Sequence, residues 1–373
     1  MKLRRLAFCL MLSAAVVLLA VEDNKSAGDR FKPNELPVRA VMFNGLSAGA
    51  LDSFLTFVRD DLPRERVNTL IFEIDYNYQY KTHPEVIAPR AYTEAQIKSL
   101  VQACRSAGVK LIPLVNCLGH QSWAENTHAL LKAHPEFDET PGLYPDNKGI
   151  YCRSYCPNHP DVHRVVFDLL GEIAEVCETD TIHVGMDEVF LIGEDACPRC
   201  RGRDKAELFA QEVRTLHDFL AGRNLKLWMW GDRFLDGRTT GLGKWEASYN
   251  NTNRAIDLVP KDIVICDWHY DSAAPTPSYF ALKGFGVVIC SYNKPAVGVA
   301  EVDDMVRVRT ANRDNADIAP RLLGVMATNW GKSDAFVASY RSAKVTGTTA
   351  DLPAVENFIR VFERVRQANP TTP

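Results

Sequence analysis

Two adjacent carboxylates, Asp187 and Glu188, are the side chains of this sequence best placed to transfer protons. They follow the short apolar segment Thr181–Val184 and the pair Gly185-Met186. Burial raises the pKa of a carboxyl group, and a carboxyl group with a raised pKa can act as a general acid. The neighbouring charge of Asp187 should raise the pKa of Glu188 further. A solvated acidic loop without a chemical role is the alternative interpretation.

Aromatic and polar side chains follow most of the other short apolar segments of the chain. Any one of them could be a strand-end cap or a core aromatic residue. Together they predict a pocket walled by tryptophans, whose flat faces suit the C–H face of a pyranose while carboxylates and amides bind its hydroxyls. The residues are Asp75, Asn116, His120, Trp230, Asp232, Trp268, Tyr270, Tyr292, Asn329 and Trp330.

A sugar pocket beside two carboxylates suggests glycoside cleavage, which needs a proton donor and stabilisation of an oxocarbenium-like centre. Most retaining enzymes use carboxylates from two strands, but the segment Cys290-Ser291-Tyr292 offers no acid. The adjacent pair favours a route in which the 2-acetamido oxygen of the substrate attacks. Asp187 would hold the acetamido N–H, and Glu188 would protonate the leaving group and then activate water.

The apolar segments before these residues are four to eight residues long and bounded by turn residues, as buried strands are. Amphipathic stretches lie between them, at Thr93–Ala107, Pro160–Cys177, Lys205–Gly222 and Val302–Asn315. The predicted strands are Val38–Phe43, Thr69–Ile74, Val109–Val115, Thr181–Val184, Leu225–Trp230, Ile263–Trp268, Phe285–Cys290 and Leu322–Ala327.

Eight strand–helix alternations predict an α/β fold, a single-domain (β/α)8 TIM barrel closed by a C-terminal helix at Leu352–Gln367. A doubly wound open sheet is the alternative, but no glycine-rich fingerprint follows the first strand. In TIM barrels the catalytic side chains lie at the C-terminal ends of the strands. The candidate residues above occupy such positions.

The segment from His183 to Glu188 resembles the H-x-G-x-D-E signature of family 20 glycoside hydrolases, the β-N-acetylhexosaminidases. Similar motifs occur in the family's order over about residues 38–332. They are Val38-Arg39-Ala40-Val41-Met42, Asn68-Thr69-Leu70 with Asp75, Ile112-Pro113-Leu114-Val115 through Gly119-His120, Trp230-Gly231-Asp232, Asp267-Trp268-His269-Tyr270 and Asn329-Trp330-Gly331.

The resemblance implies a retaining exo-β-N-acetylhexosaminidase that removes terminal β-linked N-acetylglucosamine or N-acetylgalactosamine without a metal or a cofactor. An amino-sugar glycan or glycoconjugate would be its substrate. Arg39 would bind sugar hydroxyls, and Asp75 and His120 would form a relay beside Glu188. Trp230, Trp268 and Trp330 would surround the acetamido methyl and the sugar ring, and Tyr270 or Tyr292 would hydrogen-bond the acetamido carbonyl. His183 and Asp232 are also implied to bind substrate.

The sequence departs from the family after Trp330. Gly331-Lys332-Ser333-Asp334 follows, without the glutamate that the family commonly places there to bind sugar hydroxyls. The preference between gluco and galacto sugars therefore stays open. A related glycosidase with a different sugar, or a carbohydrate-binding barrel without catalysis, remain alternatives.

Cysteines occur in two closely spaced pairs in polar segments, Cys152 with Cys156 and Cys197 with Cys200. The pairs could hold a four-sulfur zinc ion, form two disulfides or stay as free thiols. Four thiolates would close the coordination sphere, so that such a zinc ion would not be catalytic. The cysteines of apolar segments are predicted to be core residues, at Cys104, Cys177, Cys266 and Cys290.

The N-terminus carries Lys2, Arg4 and Arg5 before the uncharged apolar run Leu6–Val21. This pattern predicts a signal peptide over residues 1–20, a linker over 21–37 and the barrel over 38–373, and hence a periplasmic or secreted protein. An uncleaved N-terminal anchor is the alternative. The formal net charge of −4 over 373 residues, without a later basic block, argues against a nucleic-acid partner.

Overall fold

Eight parallel strands close into a barrel, each beside the next strand of the chain and the last beside the first. This closed barrel confirms the predicted (β/α)8 fold, and the strand ends agree with the predicted ones to within two residues. The strands are β1 Val38–Phe43, β2 Thr69–Glu73, β3 Lys110–Cys117, β4 Thr181–Gly185, β5 Lys226–Trp230, β6 Val264–Trp268, β7 Gly286–Ser291 and β8 Leu322–Asn329.

This computed structural model describes residues 32–46 and 49–369. The predicted signal peptide and most of the predicted linker lie outside those residues. From Pro33 onward the described chain belongs to one compact unit. None of its described helices is long and apolar enough to cross a membrane.

Helices alternate with the strands and cover the outside of the barrel. The side chain of Thr93 caps α2 in a capping box with Gln96, and Asp204 caps α5. The helices are α1 Leu51–Thr56, α2 Glu94–Ser106, α3 Ala129–Ala133, α4 Val162–Cys177, α5 Lys205–Ala221, α6 Gly237–Thr240, α7 Thr276–Leu282, α8 Pro295–Ala311, α9 Ser333–Thr346 and α10 Pro353–Ala368.

Helix α8 begins seven residues before the predicted start at Val302 and ends before Asn315, so that prediction was wrong in its bounds. Its buried face includes the charged residues Glu301 and Arg309 beside Val302. A buried face that carries charges gives no apolar period of 3.6 residues, and the pattern therefore misplaced the helix.

The barrel interior is filled by inward-facing side chains, small and aliphatic on one side and tryptophans on the other. Ala40 and Met42 of β1, Trp228 and Trp230 of β5 and Cys290 of β7 belong to this buried cluster. Since these side chains are almost wholly buried, they form the floor beneath any site at the C-terminal ends of the strands.

The loop before β2 holds the two C-terminal helices against the barrel through Glu65, whose side chain is buried. The carboxylate accepts hydrogen bonds from Tyr340 of α9 at 2.7 Å and from Arg366 of α10. Lys344 of α9 completes the group, with its Nζ 2.6 Å from Glu65 Oε1. The Glu65 carboxylate thus holds α9 and α10 against the loop before β2.

Candidate active site

Asp187 and Glu188 follow β4 at the C-terminal end of the barrel, and both are buried. The backbone turns sharply there, with left-handed φ angles of 65° at Gly185, 71° at Met186 and 49° at Glu188. A side chain at position 185 would meet Asn116 Oδ1 at 2.4 Å, which explains the glycine. The turn places both carboxylates on the wall of the same cleft.

Asp232, which follows β5, fixes this turn from below. Its Oδ2 accepts a hydrogen bond of 2.9 Å from the backbone N–H of Glu188 and another of 2.6 Å from Nε of Arg233. Desolvation raises the pKa of the buried Asp232. Asp232 therefore positions the turn that carries Glu188, rather than lining the cleft itself.

His120 contacts both carboxylates. Its Nε2 lies 3.3 Å from Asp187 Oδ2 and 3.2 Å from Glu188 Oε2. Gly119 permits this approach, because a side chain there would meet the backbone oxygen of Asp187 at 2.7 Å. Burial disfavours the imidazolium, but Asp187 and then Glu188 raise the pKa of His120 well above its ordinary value. His120 is thus a cation shared by two acids.

The two carboxylates have pKa values shifted in opposite directions. Desolvation opposes ionisation of Asp187, but the positive charge of the nearby His120 holds the pKa of Asp187 below the ordinary value. Desolvation and the charge of Asp187 raise the pKa of Glu188, against the opposing effect of His120. The pair therefore contains one ionised carboxylate and one that keeps its proton to higher pH.

Asp75 lies on the same cleft, but its oxygens are engaged by Asn116. The backbone N–H and the side-chain Nδ2 of Asn116 donate hydrogen bonds to it, of 2.7 and 3.0 Å. Desolvation raises the pKa of Asp75, while the hydrogen bonds from Asn116 and the charge of His120 act in the opposite direction. The sequence missed Glu73, the last residue of β2, whose pKa is raised well above its ordinary value by desolvation and by Asp75.

Three of the expected aromatic residues wall the cleft: Trp268, Tyr270 and Trp330. Trp330 Nε1 donates a 2.9 Å hydrogen bond to the hydroxyl of Tyr270, which fixes the two rings against each other. Tyr292 lies behind Tyr270, with 5.4 Å between the ring centroids. Tyr270 rather than Tyr292 therefore presents its ring to the cleft.

Trp230 and His183 lie one layer deeper than expected. The Trp230 ring is buried 6.0 Å below Trp330 and 4.5 Å from the ring of His183, measured between centroids. The Nδ1 of His183 accepts a 3.1 Å hydrogen bond from the N–H of Gly185. Both residues support the floor and the turn before Asp187, and neither lines the cleft.

Arg39 is placed at the opposite end of the barrel, which corrects the expectation that it binds sugar hydroxyls. It is the second residue of β1, whereas the cleft lies beyond the last. Its guanidinium donates to the carbonyls of Arg66 at 2.7 Å and Leu36 at 2.6 Å. At the cleft end of β1 stands Asn44, whose Nδ2 donates to the carbonyl of Trp330 at 3.0 Å.

The cleft has two lobes that share His120, Trp123, Asp187 and Trp330. The aromatic lobe, of about 580 Å³, also contains Glu188. The acidic lobe, of about 560 Å³, is lined by polar side chains that include Glu73, Asp75, Asn77, Asn116 and His128.

Loop residues that no strand-end rule could locate complete the aromatic lobe. Tyr151 and Trp245 pack edge to face there, with ring centroids 4.5 Å apart. Glu246 also lines it, and its Oε2 lies 2.9 Å from Nδ1 of the buried His269. The only sequence signal for these residues was their type, because the loops that carry them have no periodic pattern.

Two groups of side chains bring their possible ligand atoms within 4.8 Å of one another in the described part of the chain. One is His120 with Asp187 and Glu188, in which opposite charges already pair. The other contains Cys156, Cys197 and Cys200, together with Glu139. Cys152, expected with these thiols, instead contacts the carbonyl of Glu188 at 3.4 Å.

Comparison with known proteins finds two relatives that carry the same name. Two proteins named Beta-hexosaminidase are each 27% identical to this chain: one of Akkermansia muciniphila over 135 residues and one of Vibrio furnissii over 201 residues. The matches cover 35% and 53% of this chain but only 26% and 29% of those proteins. The chain thus matches less than a third of the length of either relative.

Solved structures share the fold. A chitobiase of Flavobacterium johnsoniae superposes with a TM-score of 0.60 at 17% identity, covering 90% of this chain and 51% of that one. An exo-β-N-acetylglucosaminidase of Vibrio harveyi gives 0.60 at 14% identity, covering 89% and 54%. At these identities the likeness establishes the barrel alone.

The sequence profile described as "Glycosyl hydrolase family 20, catalytic domain" matches residues 72–334, which is more than half of the chain. The matched region runs from the end of β2 to the start of α9. It therefore contains both carboxylates, His120 and the aromatic wall of the cleft. On this evidence the chain belongs to glycosyl hydrolase family 20.

Proposed function

We propose that this protein is a retaining exo-β-N-acetylhexosaminidase that works by substrate-assisted catalysis. One observation carries the proposal: His120 lies between the adjacent carboxylates Asp187 and Glu188, on the wall of a cleft lined by aromatic rings. This arrangement separates the pKa values of two neighbouring acids, as a proton donor beside a permanent anion requires. The family assignment and the names of the matched relatives support it.

In the first step, the acetamido oxygen of the substrate attacks the anomeric carbon and the bond to the leaving oxygen breaks. Glu188 gives its proton to that oxygen. Asp187, held ionised by His120, accepts a hydrogen bond from the acetamido N–H and balances the positive charge of the cyclised sugar. The products of this step are the free aglycone and an oxazolinium ion.

In the second step, water attacks the anomeric carbon from the face that the aglycone has left. Glu188, now ionised, takes a proton from this water and returns to its starting state. The oxazolinium ring opens to restore the acetamido group. Two inversions at the same carbon retain the β configuration.

The aromatic lobe suits the terminal amino sugar. Trp268 and Trp330 offer flat faces to the ring and to the acetamido methyl, and the Tyr270 hydroxyl can hydrogen-bond the acetamido carbonyl. No acid follows β7, where Ser291 accepts a 2.9 Å hydrogen bond from Asn357. The end of that strand therefore supplies no second carboxylate as a nucleophile, which favours participation by the substrate's own amide.

The proposal is tested by release of nitrophenol from four β-glycosides: the N-acetylglucosaminide, the N-acetylgalactosaminide, the glucoside and the galactoside. We expect turnover of the acetamido sugars alone, and loss of that turnover in Glu188→Gln. Equal turnover of glucoside or galactoside would overturn the substrate-assisted route and favour a glycosidase for another sugar. Binding of N-acetylglucosamine without turnover of any glycoside would favour a carbohydrate-binding barrel.

A further inference from the structure

Three thiols and a carboxylate meet beside the site, in the loops that follow β3 and β4. The Sγ of Cys156 lies 3.5 Å from that of Cys200 and 3.4 Å from that of Cys197. An oxygen of Glu139 lies within 4.8 Å of all three sulfurs. All four residues are buried, and the structure records all nine cysteines of the described chain as free thiols.

The two oxygens of Glu139 differ in their hydrogen bonding. Its Oε1 accepts a 3.2 Å hydrogen bond from the N–H of Glu194. Its Oε2 is buried without a hydrogen-bond partner among the described residues, and the side chain has no exposed surface. Burial of an unsatisfied carboxylate oxygen is costly, and a cation would satisfy it.

We propose that Glu139, Cys156, Cys197 and Cys200 bind one zinc ion in a closed, tetrahedral, structural site. Thiolates are soft ligands that favour zinc over magnesium or calcium, and a single carboxylate is compatible with zinc. Four protein ligands leave no open position, so the ion would take no part in glycoside chemistry. The inference concerns metal binding and holds whether or not the chain cleaves glycosides.

Hydrogen bonds from neighbouring segments hold the cysteines of the cluster in place. Cys197 and Cys200 are the ends of a C-x2-C turn, in which the N–H of Arg201 donates to the carbonyl of Cys197 at 3.1 Å. Asn158 Nδ2 lies 3.4 Å from the Sγ of Cys200 and is held in turn by Gln211 of α5. Such outer contacts orient metal ligands and stabilise thiolates.

The site differs from the four-sulfur arrangement that the cysteine spacing predicted. Cys152 is turned toward the carbonyl of Glu188, and Glu139 takes the fourth place. A disulfide between any two of Cys156, Cys197 and Cys200 would leave the third thiol and the Glu139 carboxylate unused. A metal ion uses all four groups.

The proposed ion would join the two loops that flank the proton donor. Cys197 and Cys200 belong to the loop after β4 that contains Glu188, while Cys156 and Glu139 belong to the loop that carries Tyr151. A hydrogen bond within the second loop joins its two ends near the cluster, since the N–H of Glu139 donates to the carbonyl of Ser154 at 3.0 Å. Zinc would therefore hold the mouth of the cleft from outside.

The test measures metal directly. The full chain is purified without chelator, supplied with zinc, freed of excess and analysed by plasma mass spectrometry. We expect about one zinc per chain in the wild type, and less than about one tenth in Cys197→Ser. The matched control is Cys104→Ser, which removes a buried thiol of α2 outside the cluster and should keep its zinc.

Two further measurements cover the case in which Cys197→Ser fails to fold. Cobalt-substituted wild type should show the visible bands of tetrahedral cobalt with a thiolate charge-transfer band. Glu139→Gln keeps the three thiols and should bind zinc at least about tenfold more weakly in competition with a chelator. Wild type that takes up no zinc, or a disulfide found by peptide mapping among the three cysteines, would overturn the proposal.

Discussion

The Nε2 atom of His120 lies 3.2 Å from Oε2 of Glu188, and the same nitrogen lies 3.3 Å from Oδ2 of Asp187. One imidazolium thus faces two acids that follow each other in the chain. Because desolvation raises the pKa of both acids, the difference between their pKa values depends on how strongly the positive charge of His120 acts on each. The pKa of Asp187 is lowered and that of Glu188 is raised.

A first prediction concerns pH. Activity should fall at high pH as Glu188 loses its proton, and at low pH as Asp187 gains one. In His120→Gln both carboxylates lose a neighbouring cation, so both pKa values rise and both limbs of the pH profile move to higher pH. The measurement is kcat/KM against pH for the β-N-acetylglucosaminide.

The control for that experiment is His163→Gln. His163 pairs with Glu212 at 2.8 Å on the outer side of the barrel, away from the cleft. Its substitution should leave both limbs in place. Limbs that do not move in His120→Gln would show that His120 does not set the proton affinity of the pair.

Glu188→Gln should lower kcat by about 10²–10⁴-fold on a nitrophenyl glycoside, the usual contribution of a general acid. The loss should be much smaller on a dinitrophenyl glycoside, because that leaving group departs without a proton. Rates for the two leaving groups, taken at one pH, provide the test. The same loss on both would mean that Glu188 does not protonate the leaving oxygen.

Asp187→Asn should lower kcat, because the neutral amide no longer balances the charge of the cyclised sugar. It should also weaken inhibition by a thiazoline analogue of that intermediate more than inhibition by free N-acetylglucosamine. In the wild type the thiazoline should inhibit more tightly than the free sugar. Inhibition constants for both compounds in both proteins decide this, and equal weakening would contradict the role of Asp187.

The strands were predictable because each is a short apolar run bounded by turn residues. The strand-end rule then located Asp187, Glu188 and His120, and the structure brings these three side chains into contact. The sequence could not show how deeply each strand-end side chain is buried beneath the cleft. Trp230 ends its strand as Trp268 does, but only the latter reaches the cleft.

Arg39 shows a different limit. The resemblance to the family suggested its role, although its place near the start of β1 puts it at the far end of the barrel. Glu246 and Tyr151 were missed for the opposite reason, since they lie in loops whose course depends on tertiary contacts. No local pattern records such contacts.

Arg39→Ala should therefore leave kcat and KM unchanged while lowering the melting temperature. The substitution removes the half-buried hydrogen bonds to the carbonyls of Arg66 and Leu36, and a hydrogen bond typically contributes about 0.5–1.5 kcal/mol to stability. Thermal unfolding and steady-state kinetics of the same preparation are the measurements. A KM that rises without loss of stability would restore Arg39 to substrate binding.

Glu65→Gln should lower the free energy of unfolding by about 1.5–3 kcal/mol at neutral pH, since Lys344 and Arg366 lose their shared anion. Desolvation opposes ionisation of Glu65, but its partners hold its pKa below the ordinary value. Its stabilisation is therefore complete above the pKa of the unfolded state and is lost as pH falls through the folded one.

Denaturant titrations of wild type and Glu65→Gln at several pH values measure this difference. The difference in free energy of unfolding between wild type and Glu65→Gln should be largest near neutral pH and should become smaller in acid below about pH 4. Glu175→Gln offers a surface control, because that side chain is exposed on α4. A difference in free energy of unfolding that stays constant with pH would contradict an ionic role for Glu65.

The six tryptophans of this chain are all placed in the barrel interior or at the mouth of the cleft. Trp228 and Trp230 lie in the floor, Trp268 and Trp330 in the wall, and Trp123 and Trp245 line the mouth. Intrinsic fluorescence of the protein therefore originates almost entirely around the site. A sugar that enters the cleft should change the emission without any label, so binding can be followed even in variants that no longer turn over.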